Sequence, residues 1–205
     1  MNKKNNIIIP VSGASHSGKT TFINKMKELY PNEIVTIDEV IRNKNINIDE
    51  IRMDSTDYLD LEIDIITKKI DDEESINKKF KNKIILTDRS LIDSYFYYTF
   101  YTDKGSLDIL NIKRYHEFLS FLKLKMYDHV NGLYDFILLF EPISEITRMD
   151  EYTVDNIEMV QDNEYFFIKN FTYGVCENQR NILNVNPNIA EVIIKNIIES
   201  ESLSV

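Results

Sequence analysis

The stretch NIIIPVSGASHSGKTTFINKMKELY, residues 6–30, limits the fold more than any other part of the chain. An apolar run, a glycine-bracketed loop and a helix-period segment follow one another. Gly13, Gly18, Lys19 and Thr20 satisfy the spacing G-x-x-x-x-G-K-[ST]. A strand that feeds such a loop and a helix that leaves it begin a parallel β-α sheet. The glycines let the backbone wrap closely. The loop residues Gly13, Ala14, Ser15, His16, Ser17, Gly18, Lys19, Thr20 and Thr21 can then turn their N–H groups to phosphate oxygens at the positive end of the helix. Lys19 is expected to reach the β and γ phosphates of a nucleoside triphosphate, and Thr20 to offer its hydroxyl to Mg²⁺. ATP and Mg²⁺ are therefore the expected cofactors. A chance match in a glycine-containing turn is the alternative, and the strand and helix on either side argue against it. His16 reads as a variable position, because such loops work mainly through backbone groups.

The rest of the chain repeats the β-α alternation. Short apolar runs at 33–37, 83–87, 134–140 and 180–185 predict four further strands. Segments at 20–30, 55–76, 107–129 and 189–199 read as helices. In the second of these Leu61, Ile65, Ile66 and Ile70 form the apolar stripe; in the third Leu110, Phe118, Leu119, Leu122 and Met126 point inward. No linker or internal repeat divides the chain. The expectation is a single α/β domain over residues 1–205, with the P-loop NTPase fold. It has a parallel five-stranded sheet, helices on both faces and a short lid at 143–164 between strands four and five. Pro10 is awkward in a central strand, because it has no N–H; a missing ladder bond or a bulge is expected there.

Composition removes several function classes. Hydrophobic residues at 43% and charged residues at 28% lie far from the signature of disorder. A formal net charge of −10 argues against affinity won by neutralising many nucleic-acid phosphates. Cys176 is the single cysteine, so neither an intramolecular disulfide nor a cysteine-based zinc cluster is available. No run of about 18 apolar residues exists, and MNKKNN passes straight into IIIPV, so neither a membrane span nor a signal peptide is expected. The chain reads as cytoplasmic. His116 and His129 fall on predicted helices without metal-ligand spacing.

A phosphate loop alone serves switches, motors and kinases alike, so the other strand ends must separate them. No N-K-x-D guanine-reading motif follows YDFILLF, where the chain continues EPISEITRMDE. The third strand ends TDRS, whereas a motor would place paired acids there. The stretch IILTDRSLIDSYFYY, residues 84–98, resembles the D-R-x-x-x-[D/S]-S-x-x-Y region of the thymidylate kinase and deoxynucleoside kinase families. It is also similar to nicotinamide riboside kinase-like domains. The resemblance implies that Asp88 lies near Mg²⁺ and that Arg89 contacts the acceptor or a phosphate. An acid and an arginine directly after a buried strand also face the crevice where α/β sheets bind ligands. An Asp N-cap with a solvated Arg is the competing reading.

The second strand ends TIDEVIRN, and the residue types there bear on the acceptor. A hydroxyl acceptor is helped by a carboxylate that takes its proton, whereas an anionic phosphate acceptor prefers arginines. Asp38 and Glu39 favour a hydroxyl. Glu39 with Arg42 resembles the E-x-x-R of nicotinamide riboside kinase-like domains, and a glutamate here is the base that deoxynucleoside kinases imply. Glu39 is therefore the first choice of base, with Asp38, Glu39, Arg42 and Arg89 facing the acceptor; a helix cap at Asp38-Glu39 with a surface Arg42 stays open. Asp57 is a weaker candidate for the same pocket. Arg148 is the arginine of the acid-rich segment 143–164 and the candidate lid arginine. The tyrosines and phenylalanines from Tyr95 to Tyr101 read mostly as core, with a ring stacked on an acceptor base as the alternative.

These readings converge on an ATP-dependent kinase that moves the γ-phosphoryl group to a hydroxyl of a nucleoside-like small molecule. A nucleoside monophosphate kinase, a kinase for a polynucleotide end or modified base, and a nucleotide-gated binding module are the alternatives. The oligomeric state, a homodimer included, stays open.

Overall fold

The computed structural model describes residues 6–40, 55–142 and 157–202. Strand β1 (Asn6–Gly13) runs through the loop into helix α1 (Lys19–Leu29), followed by β2 (Ile34–Ile37), α2 (Ser55–Lys79) and β3 (Lys83–Asp88). Helices α3 (Leu91–Tyr101) and α4 (Ile109–Leu133) lead to β4 (Ile137–Phe140), and α5 (Ile157–Val175), β5 (Ile182–Val185) and α6 (Pro187–Ser202) complete the chain. All neighbouring strands pair in parallel, in the order β2-β3-β1-β4-β5. The expected P-loop NTPase fold is present: an α/β sheet of five strands with helices on both faces.

Two-residue periodicity sorts the core into two layers. Ile9, Val11, Ile84, Leu86 and Leu138 face α1 and α6, where Phe22, Ile23, Met26, Ala190 and Ile194 pack on them. Ile8, Ile85 and Ile137 face the opposite layer, built by Leu59 and Ile66 of α2, Tyr95 and Tyr98 of α3, and Leu122 and Met126 of α4. Because both faces are covered, the strands are continuously apolar rather than alternating.

Pro10 causes no bulge: β1 keeps one-to-one register with β3 from Asn6↔Lys83 to Val11↔Asp88. Ile8 turns both its N–H and its C=O toward Asp135, on the β4 side. Pro10, two residues on, faces the same way, and pairing with β4 begins only at Val11. The missing donor therefore falls where no ladder bond is required.

One expectation needs correction, and two features were not anticipated. Leu110 points outward and is 78% exposed, as is its neighbour Ile109 at 85%, so the first turn of α4 stands clear of the core. Helix α3 has no clear stripe, since Leu91, Ile92, Tyr95, Phe96 and Tyr98 are buried around its circumference. It starts at a capping box in which Ser90 accepts from the Asp93 N–H and Asp93 accepts from the Ser90 N–H. Residues from Ile157 onward, inside the expected lid segment, are the first turns of α5; residues 143–156 lie outside the described residues. No helix among the described residues is long and apolar enough to cross a membrane.

Candidate nucleotide and acceptor site

Chain direction creates the site. After β1 the chain enters α1 on one face, whereas after β3 it enters α3 on the other. The carboxyl ends of these adjacent strands therefore border a crevice, the ligand position of open α/β sheets. Gly13 sits at its floor with φ +127°, and a Cβ there would lie 2.5 Å from the Phe140 carbonyl oxygen. Gly18 caps α1 with φ +84°. Both loop glycines are thus demanded by backbone geometry. His16 is exposed.

The sheet side of the loop is fastened by Asp93, which is fully buried. Its carboxylate accepts from the Gly13 N–H (3.1 Å), the Ser12 hydroxyl (2.5 Å) and the Ser90 N–H (2.8 Å). One acid thereby ties the phosphate loop to the start of α3. The outer side is held by α5: Glu164 accepts from the Ser15 N–H (2.8 Å), and the Gln161 amide donates to the Ser15 carbonyl (2.8 Å).

Lys19 is buried and curls over the loop, donating to the Gly13 (2.9 Å) and Ala14 carbonyls and to Ser17 Oγ (3.2 Å). Burial, reinforced by the positive charge of Arg89, lowers its pKa to about 8. A triphosphate brought against this ammonium adds negative charge and raises that pKa again. Binding of ATP at pH 8.5–9 should therefore take up protons, and uptake should fade below pH 7, where Lys19 is already charged. Calorimetry in buffers of different ionisation enthalpy reads this directly: a buffer-dependent enthalpy at high pH is expected, and Lys19→Ala should remove it.

Thr20 Oγ1 donates to Asp88 Oδ2 at 2.7 Å. These two hard oxygens, one on each side of the crevice, suit Mg²⁺, which keeps most of its shell for water and phosphate and needs few protein ligands. No group of three or more His, Cys, Asp or Glu side chains among the described residues forms a metal cage.

Arg89 follows with φ +70°, a left-handed conformation that costs a non-glycine residue of its size about 1–2 kcal/mol. The turn aims its guanidinium back into the crevice. There Nε donates to Glu39, Nη1 donates to the Tyr97 hydroxyl (2.8 Å), and the cation lies 4.6 Å from the Tyr97 ring centre. Burial pushes the Tyr97 phenol up to about 12, so it acts as a neutral hydrogen-bonding group.

Beside these residues lies a cavity of about 160 Å³ that includes Asp38, Glu39, Glu62, Ile65, Lys69, Asp88, Arg89 and Tyr97 in its wall. The expected acceptor residues Asp38, Glu39 and Arg89 thus meet in one place, next to Ser15 of the loop. Asp57 does not: it is exposed, and α2 contributes Glu62, Ile65 and Lys69 to the wall instead. Arg42 and Arg148 lie outside the described residues. Among the described residues the wall holds four carboxylates and two cations, one of which, Arg89, is engaged by Glu39.

The sequence reading did not single out Asp93 or Tyr97, and it missed Gln161, Glu164 and Lys69 as site residues. Only the first two carried a signal, since both stand inside the stretch that follows Asp88-Arg89.

No curated protein matches the chain. Two solved structures of NadR protein share its fold: the complex with NAD and AMP-PNP, with TM-score 0.55 and 16% identity, and the complex with NR, with 0.56 and 17%. They cover 89% and 88% of this chain but only 45% and 43% of their own, so the chain spans less than half their length. The family model described as AAA domain matches residues 8–173, the span that holds the loop, Asp88-Arg89 and both loop-gripping residues of α5. The chain belongs to the AAA domain family, as a P-loop domain of nucleotide-binding type whose fold is shared with the NadR structures.

Proposed function

We propose that the protein is an ATP-dependent kinase whose acceptor is a hydroxyl group of a nucleoside-like small molecule. The observation that carries this reading is the cavity in which Glu39 and Arg89 meet Asp88 and Ser15. A nucleotide switch needs a phosphate loop but no acid-lined space beside it. Among the described residues of that wall a phosphate acceptor meets four carboxylates, and a hydroxyl acceptor finds a base. The overall charge of −10 opposes a polynucleotide acceptor.

In this reading the loop backbone and Lys19 hold the β and γ phosphates, and Thr20 and Asp88 would hold Mg²⁺. The ion, when bound, neutralises phosphate oxygens. Glu39 orients the acceptor hydroxyl and takes its proton as the oxygen attacks the γ-phosphorus; ADP leaves with the electrons of the broken P–O bond. Arg89, braced by Glu39 and Tyr97, offsets charge on the transferring group. Most of the rate comes from positioning.

The test is incubation with γ-labelled ATP, Mg²⁺ and pooled nucleosides, nucleotides and short DNA, with labelled products identified by mass. A phosphorylated nucleoside-like product is expected, and Glu39→Gln should lower its rate by about 10²–10⁴-fold with ATP affinity retained. Free phosphate as the sole labelled product would overturn the kinase reading in favour of a nucleotide-gated module.

A further inference from the structure

A second set of buried charges lies beneath the site and is used by none of the steps above. Lys69 and Glu73, one turn apart on α2, form an ion pair at 2.8 Å, and both are at least 94% buried. Burying two charges is costly unless each is engaged: Lys69 is hydrogen-bonded to the backbone of the turn, and Glu73 makes its hydrogen bonds through Oε2, its buried Oε1 having the ion pair alone. The Lys69 ammonium donates to the carbonyl of Arg89 (2.8 Å) and reaches Thr87 Oγ1 (3.4 Å) and the Asp88 carbonyl (3.5 Å). The Thr87 hydroxyl donates to the same Arg89 carbonyl (2.8 Å). On the other oxygen, Glu73 meets His129 Nε2 (2.6 Å) and accepts from the Tyr134 hydroxyl (2.8 Å). Tyr134 in turn accepts the N–H of Leu91 (3.1 Å).

Two arms thus leave one carboxylate and grip the backbone on both sides of Ser90. One runs from Glu73 through Lys69 to the Arg89 carbonyl; the other runs through Tyr134 to the Leu91 N–H. Between them is the turn in which Arg89 holds φ +70°. That strained conformation is what turns the Arg89 carbonyl inward, to the ammonium, and its side chain outward, to Glu39 and Tyr97.

We infer that Lys69 and Glu73 are positioning residues: the buried pair holds the Asp88-Arg89-Ser90 turn in its left-handed form and thereby aims Asp88 at Thr20 and Arg89 at the acceptor cavity. Burial alone would raise the Glu73 pKa, yet the Lys69 charge and the His129 hydrogen bond bring it down to about 2, so the anchor is ionised across the working range. The catalytic part of this inference rests on the kinase reading; the structural part does not.

The test replaces the pair with neutral groups of similar shape, Lys69→Met with Glu73→Gln, so that no charge is stranded. Nitrogen-detected exchange of the Arg89 Nε–H, which wild-type protein shields through Glu39, should accelerate by about tenfold beyond any change at the Ile85 and Leu86 amides of β3. With the labelled product as readout, kcat should fall by about 10–10²-fold while KM for ATP stays near its wild-type value. If the double variant fails to fold, Glu73→Gln alone carries the same comparison. An Arg89 Nε–H as protected as in wild type, in whichever variant folds, overturns the inference. If wild-type protein shows no transfer at all, the kinase reading fails, and the exchange measurement still decides the role of the pair.

Discussion

Lys19→Ala protein should fold, melt within a few degrees of wild type, and transfer phosphate from ATP at least about 10²–10³-fold more slowly, the loss expected when a fixed charge is taken from a phosphoryl-transfer site. The two halves of this result have separate causes. For stability, the substitution frees the Gly13 and Ala14 carbonyls and Ser17 Oγ, which costs about 1 kcal/mol per lost bond. It also removes an ammonium that burial disfavours, since its pKa is held down to about 8, and this offsets part of the cost. For activity nothing among the described residues offsets the loss: Arg89 is committed to Glu39 and Tyr97, and Lys69 is committed to Glu73 and Arg89. Circular dichroism with a melting curve, beside the labelled-ATP assay, measures both. A folded Lys19→Ala protein with the wild-type rate would sink the assignment of the loop.

Gly13→Ala should act on the opposite property. A Cβ at this position meets the Phe140 carbonyl oxygen at 2.5 Å and the Phe140 nitrogen at 3.2 Å, and both belong to the backbone of a central strand that cannot swing aside. The residue also holds φ +127°, outside the range L side chains prefer. Strain and overlap together should cost about 3 kcal/mol or more, and for a chain of this size that lowers Tm by about 6–12 °C. Since β1 would have to part from β4 exactly where the loop begins to turn, nucleotide binding should weaken as well. A melting temperature within 2 °C of wild type, a shift worth less than about 1 kcal/mol, would show that the β1–β4 contact is looser than described.

Sequence and structure agree best where the determinants are contiguous. The strand, loop and first helix were legible because their chemistry sits within one short stretch: glycines where the backbone must turn, a lysine and threonine at the helix start. Asp88 and Arg89 were legible because a strand end in a parallel sheet has a known place. Helix α3 was not, because a helix buried on every side shows no stripe, and its aromatic run reads equally well as core. The start of α5 was not, because an acid-rich segment that resembles a lid gives no sign that Gln161 and Glu164 turn inward to the loop.

What the sequence determined by itself is therefore the fold class, the phosphate loop and the placing of Asp88, Arg89 and Glu39 at strand ends: each follows from local periodicity or from spacing within a few residues. What only the tertiary structure decided is which distant side chains finish the site. Glu164 reaches Ser15 across 149 positions of sequence, Arg89 meets Glu39 across 50, and Lys69 meets the Arg89 carbonyl across 20. No local rule sets these partners. They follow from strand order, from helices leaving adjacent strands on opposite faces, and from the left-handed turn at Arg89 that directs one residue's backbone and side chain to opposite sides.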